Sequence, residues 1–109
     1  MPDSYTRNTD NAPDLKWYVY MVRCNDDSLY TGIARDPVRR EKEHNGELSR
    51  GARYTRARRP VRLVFSMRVD SRAVATSQEH RIKRLSRAAK EALIQSGPPV
   101  DGHKIGKQI

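Results

Sequence analysis

The chain has 109 residues, a length for one domain, with 22 Lys and Arg against 13 Asp and Glu, a net charge of +9 and a pI near 10.2. One cysteine and three histidines without zinc-ligand spacing exclude a disulfide scaffold and a zinc-stapled fold, and a domain this long buries enough surface to fold without either. No apolar run near the N-terminus has the form of a signal peptide or membrane span, and Asp3, Asp10 and Asp14 argue against an Arg-rich transit peptide. The expected compartment is the reducing cytoplasm, including the nucleoid. The positive charge comes chiefly from arginine, whose planar fork gives two hydrogen bonds to one phosphate. Nucleic acid is therefore the leading partner, with solubility as the bland alternative.

Residues 1–15 are polar, proline-containing and aperiodic, which predicts a disordered leader; residues 16–95 form one unit, and 96–109 a flexible tail. Trp17 to Cys24 carries aromatic and β-branched residues on both faces, as in a central strand. Asn25 to Ser28 supplies a turn, and Leu29 to Ile33 returns as the hairpin partner, with Gly32 leaving room for a close approach. Asp36 and Pro37 form an N-cap and first position for a helix to His44, ended by Asn45-Gly46. Glu47 to Pro60 is basic and turn-like. Leu63, Phe65, Met67 and Val69 alternate with less apolar positions in a third strand. Asp70 or Ser71 then caps a helix carrying Val74, Ala75, Ile82 and Leu85, and Ser86 caps a second that ends before Gly97. The pattern predicts an α+β fold: a small three-stranded antiparallel sheet flanked by helices, in the order β-β-α-β-α-α.

Several residues could carry chemistry. Arg40 and His44 lie four apart and share a helix face, which places a cation beside an acid-base group or, on the bland reading, decorates a solvated surface. Glu79 shares a stripe with Ala75 and Ile82; a carboxylate facing the sheet needs an arginine or a metal ion as partner, and both remain open. Tyr20 and Tyr30 sit in adjacent strands, where tyrosines more often pack than react. Arg50, Arg53, Arg56, Arg58, Arg59 and Arg62, interrupted by Tyr54, make a phosphate-binding surface, with Tyr54 able to stack on a base.

These residues resemble the GIY-YIG nuclease domain superfamily. Tyr18-Val19-Tyr20 stands where that family has Gly-Ile-Tyr, and Tyr30-Thr31-Gly32 where it has Tyr-Ile-Gly. Arg40 and His44 match the catalytic arginine and the His-or-Tyr position that follows it, and Glu79 matches the metal-binding glutamate. The likeness runs from Trp17 to about Ile94. His44-Asn-Gly-Glu-Leu48, Gly51-Ala52, Thr55 and Arg59-Pro60 make it most similar to the small bacterial single-domain branch and to the catalytic subunit of the eukaryotic branched-DNA endonuclease. Tyr18 and Thr31 depart from the motif letters, Ile33 replaces a lysine of some relatives, and no asparagine follows Asn45.

The resemblance implies a metal-dependent DNA endonuclease linked to repair or recombination. Glu79 would hold one Mg²⁺ or Mn²⁺ ion, Tyr30 would activate water with Tyr20 hydrogen-bonding nearby, His44 would be a proton partner, and Arg40 would stabilise the charge of the transition state. Branched or flap DNA is the implied substrate, with a protein partner or a homodimer supplying selectivity. Two other classes stay open: a noncatalytic basic nucleic-acid-binding module, and a basic protein that docks on ribosomal RNA or an acidic partner.

Overall fold

The computed structural model describes residues 16–47 and 52–97; the expected leader over 1–15 and the tail beyond Gly97 lie outside the described residues. In chain order the elements are β1 (Trp17–Arg23), β2 (Leu29–Ala34), α1 (Pro37–His44), α2 (Arg53–Arg56), β3 (Arg62–Val69), α3 (Arg72–Lys83) and α4 (Arg87–Ser96). The architecture is the α+β arrangement expected from the pattern, with α2 added as a single helical turn inside the basic stretch.

The sheet is antiparallel in the order β2-β1-β3. As its two-faced apolar pattern requires, β1 is central, with Val19, Tyr20, Met21 and Val22 each exposed by 1% or less. Alternation sends them to two cores. On one face Tyr20, Val22, Cys24, Ala34, Val61 and Leu63 pack together, with Tyr30 and the α1 residue Val38 against them. On the other, Val19, Met21 and Phe65 pack with Ala75 and Ile82 of α3, and with Leu93 and Ile94 of α4.

β3 departs from simple alternation. Phe65 pairs with Met21 but Leu63 pairs with Val22, so Val64 is an extra residue in a bulge. Leu63 consequently joins the first core while Phe65, Met67 and Val69 join the second. The four do not share one face, because the bulge inverts the strand's parity below Phe65. The Leu63 amide donates to Glu41 Oε2 at 2.7 Å, which ties the bulged strand to α1.

The helix ends follow local chemistry. Asp36 accepts from the Arg39 amide at 3.1 Å, and Pro37 takes the first helical position, where a missing N–H costs nothing. Gly46, at φ +86°, closes α1: its amide donates to the Glu43 carbonyl at 3.0 Å and that of Glu47 to Lys42 at 2.9 Å, a Schellman arrangement. Ser71, rather than Asp70, caps α3, accepting from Val74 at 3.1 Å, and Ser86 does the same for α4 through Ala89. Val74 is 42% exposed and lies off the buried stripe, which Ala75 and Ile82 define.

α4 is anchored by charge as well as by Leu93 and Ile94. Arg23, at the end of β1, makes a two-pronged contact with Glu91, both oxygens at 2.8 Å; Arg87 donates to Glu91 at 2.9 Å and to Asp27 in the β1–β2 turn at 3.2 Å. Hydrogen bonds from Arg23 and then Arg87 lower the Glu91 carboxyl to about 2 from 4.5. A carboxyl whose pKa falls on folding stabilises fully above its unfolded value and loses that contribution as pH falls towards the folded one. Discounted for the solvent that reaches this partly exposed pair, the contribution is about 1 kcal/mol. Glu91→Gln is expected to lower Tm by roughly 4–8 °C at pH 7, with a gap that shrinks below pH 4.5; a gap independent of pH would mean that the carboxylate charge contributes nothing.

Candidate active site

Tyr20, in the middle of β1, points to the α1 side of the sheet, and its partner in β2 is Gly32. A Cβ on Gly32 would lie 2.6 Å from the Tyr20 Oη and 2.8 Å from its Cζ. The phenol therefore lies flat over the bare backbone of β2, and this is the close approach that glycine allows. Tyr30 emerges on the same face, opposite Val22.

His44, the last residue of α1, is completely buried. Its Nε2 is 2.8 Å from Tyr20 Oη. Its Nδ1 receives the Ala52 amide at 3.3 Å and lies 3.0 Å from the Thr55 hydroxyl, itself buried and within 2.9 Å of the Ala52 carbonyl. Because a backbone N–H can only donate, Nδ1 is the bare nitrogen and the proton resides on Nε2, which donates to Tyr20. Burial first, and the nearby Arg40 charge second, bring the imidazole down to about 4 from 6.5, so it is neutral at physiological pH.

The Arg40 guanidinium charge also acts on the Tyr20 oxygen. A phenol oxygen has two acceptor positions and one proton. With one position filled by His44, the O–H is left to point at a group other than the imidazole. Burial raises the Tyr20 pKa, Tyr30 adds to the rise, and Arg40 opposes it without prevailing. In this arrangement Tyr20 is a neutral donor.

Arg40 is oriented by Glu43, whose Oε1 lies 2.7 Å from its Nη1 while Oε2 lies 3.3 Å from Arg39. Ala34, Arg35, Asp36, Arg39, Arg40 and Glu43 line a cavity of about 190 Å³. Glu79, on α3, is near enough for its charge to act on the Tyr20 phenol. Its side chain is 17% exposed and 3.2 Å from Lys83 one turn on. Tyr20, Tyr30, Arg40, His44 and Glu79 thus form one neighbourhood drawn from β1, β2, α1 and α3.

The basic stretch divides. Arg50 lies outside the described residues. Arg53 and Arg56 point into solvent, with no side-chain hydrogen bond or ion pair among the described residues. Tyr54 is 37% exposed, but its ring stacks on Tyr30, centroids 5.7 Å apart, and Arg58 covers it at 3.9 Å. Arg58 also binds Asp26 at 3.1 Å. Arg59 donates to the His44 carbonyl at 2.6 Å and lies against Gly46. Arg58 and Arg59 therefore hold the loop in place.

Thr55, Glu43 and Asn45 carry more of the site than the sequence alone indicated. Glu43 follows Arg40 at i+3, a spacing that could have marked the pair. Asn45 clamps Val61 from both sides, donating to its carbonyl at 2.9 Å and accepting from its amide at 2.7 Å. Thr55 gave no periodic signal, because its partner His44 is distant in the chain.

A strand-borne tyrosine pair, an arginine and an imidazole from the following helix, and a carboxylate from a later helix define a class. The family model described as GIY-YIG catalytic domain matches residues 16–92, and the chain belongs to the GIY-YIG family, a family of nuclease domains. Within it the chain is similar to small single-domain proteins. It is 46% identical over 84 residues to the UPF0213 protein HQ_3675A of Haloquadratum walsbyi, covering 77% of this chain and 92% of the relative. It is 41% identical over 90 residues to UPF0213 protein H16_B0156 of Cupriavidus necator, covering 83% and 96%. Among solved structures, the UPF0213 protein BH0048 of Bacillus halodurans is 41% identical, with 77% of this chain and 88% of that one covered and a TM-score of 0.49.

Two outcomes follow from this geometry. Folding lowers the His44 pKa, so the unfolded chain binds the extra proton first as pH drops. The stability His44 confers is complete above pH 6.5 and is lost as pH falls towards 4, about 2 kcal/mol by pH 5. Urea unfolding at pH 7 and pH 5 measures the difference, and His44→Gln should flatten it. Gly32→Ala should cost about 1–3 kcal/mol and push the phenol off His44, so that His44 titrates nearer its free value by NMR; an unaltered titration would show that Tyr20 had not moved.

Proposed function

We propose that this protein is a divalent-metal-dependent endonuclease that hydrolyses phosphodiester bonds in DNA, selects for DNA structure and serves repair or recombination. The observation that carries this reading is the Tyr20 oxygen, which accepts from His44 Nε2 beside the Arg40 charge and so directs its own proton away from the imidazole. A donor on that oxygen leaves the O–H ready to meet a phosphate oxygen or an attacking water.

The other residues take roles their positions support. Tyr30, half-buried with its ring edge against His44, centroids 5.3 Å apart, takes the proton of the attacking water as its phenolate and becomes the neutral phenol. Arg40, turned by Glu43, faces charge that grows on the phosphoryl oxygens in the transition state. His44 stays neutral and fixes the Tyr20 rotamer. Glu79 fits a hard divalent ion, since Mg²⁺ and Mn²⁺ are commonly held by one or two carboxylates with water and phosphate oxygens completing the shell. Such an ion, when bound, supplies Lewis-acid stabilisation to the leaving oxygen. Arg53 and Arg56 contribute phosphate contacts that fix register without reading sequence.

The test uses end-labelled single-stranded, duplex, flap and branched DNA with Mg²⁺, Mn²⁺ or EDTA. Wild type should cut in a metal-dependent way. Arg40→Ala should lose about 10²–10³-fold in kcat, and Glu79→Gln should fall to background while still binding DNA. Tyr30→Phe should lose more than Tyr20→Phe. Binding of all four DNAs without cutting under any metal would favour the noncatalytic module, in which Glu79 serves only as the partner of Lys83.

A further inference from the structure

The register places three more side chains on the face that carries Tyr20. Tyr18 precedes it by two residues on β1 and pairs with Ala34 of β2 and Arg68 of β3, while Tyr20 itself pairs with Ser66. Cross-strand partners share a face, and positions two apart on a strand are about 7 Å apart. Tyr18, Ser66 and Arg68 therefore border the site directly on the side away from Val22 and Leu63.

Among the described residues, this part of the sheet lies outside the packing that closes the rest. Tyr18 belongs to neither apolar core although it is an aromatic residue in the central strand. It is half-buried, Ser66 is half-buried and Arg68 is exposed. None of the three makes a side-chain hydrogen bond, ion pair or ring contact among the described residues. Arg23, Arg58, Arg59 and Arg87, by contrast, each hold a carboxylate or carbonyl. The open area is continuous with the site: Ala34, the partner of Tyr18, lines the same cavity as Arg40.

We infer that this open half of the sheet is a nucleotide-binding platform for a DNA strand, with Tyr18 taking the base or sugar and Arg68 the phosphate of the nucleotide beside the scissile one. The inference rests on the endonuclease reading for its substrate, and the chemistry of the patch agrees. A phenol ring with no partner among the described residues offers a stacking face to a base, a guanidinium unpaired among them offers a fork to a phosphate, and Ser66 between them offers a hydroxyl to either. Because stacking needs a base that has left its pair, Tyr18 should matter more for single-stranded DNA than for duplex.

The test is fluorescence anisotropy of the full chain in EDTA, with labelled single-stranded and duplex DNA across a salt series, so that binding is read without cutting. Arg68→Ala should weaken both and reduce the slope of log K against log salt by about 0.7–0.9, one phosphate contact. Tyr18→Ala should weaken single-stranded binding by about 5- to 100-fold with an unchanged slope, and Tyr18→Phe, which keeps the ring, should restore it. Photocrosslinking to 5-iodouracil-substituted oligonucleotides should recover the peptide containing Tyr18. If Tyr18→Ala does not fold, the Tyr18→Leu variant carries the same comparison. Normal affinity and slope in the Arg68 and Tyr18 variants, in a protein that binds DNA, would overturn the platform and leave the endonuclease reading intact. A wild-type protein that binds no DNA would overturn both.

Discussion

The buried imidazole of His44 is the joint on which the site depends. Through Nε2 it holds Tyr20 of the central strand, and through Nδ1 it receives the Ala52 amide beside the Thr55 hydroxyl. A ring with no solvent contact can satisfy both nitrogens in only one tautomer here, so the sheet and the basic stretch are set relative to each other by one proton's position. Charging that ring would oblige Nδ1–H to face the Ala52 N–H, which is why burial and polarity together keep it neutral. The arginine stretch, which by composition could have been a solvated loop, is thereby fastened to the tyrosines it adjoins.

The arginines show how a charge excess is shared between structure and ligand. Arg23 and Arg87 tie α4 to β1 and its turn, and Arg58 and Arg59 tie the basic stretch to Asp26 and to the end of α1. Those charges are largely answered within the fold. Arg53, Arg56 and Arg68 are not answered by any described residue, and the first two rise from the turn whose intervening residues, Tyr54 and Thr55, reach inward to Tyr30 and His44. Net charge alone gives no guide to this division; it depends on which carboxylates the tertiary fold brings within reach.

What the sequence disclosed was local. The two-faced apolar run of β1 revealed its central place, Asp36-Pro37 and Ser86 marked helix starts, and Gly46 marked a helix end, because each signal is written within a few residues of where it acts. Helical spacing paired Arg40 with His44 and set Glu79 on the stripe of Ala75 and Ile82, and motif spacing joined these to Tyr20 and Tyr30 as one set. What stayed hidden depended on distant partners. Val74 looked like a core residue by type, yet its helical angle places it outward. Thr55 and Asn45 read as turn residues until His44 and Val61 met them. Tyr54 read as a residue able to stack on a base, and the fold stacks it on Tyr30 and lays Arg58 over it while leaving it 37% exposed.

The bulge at Val64 gives β3 a property that regular strands lack. Below it the strand contributes Leu63 to the layer beneath α1; above it, Phe65 and Met67 belong to the layer beneath α3 and α4. The extra residue puts Leu63 and Phe65, two apart in sequence, in different layers, where a regular strand would put them in one. Deleting Val64 would leave Leu63 opposite Val22 and Phe65 opposite Met21 in an unbroken ladder, each in its present layer, whereas straightening the strand with Val64 kept would carry Leu63 across the sheet. The extra residue therefore leaves the two layers where that unbroken ladder would put them, and what it adds is a local bend and twist in the edge strand.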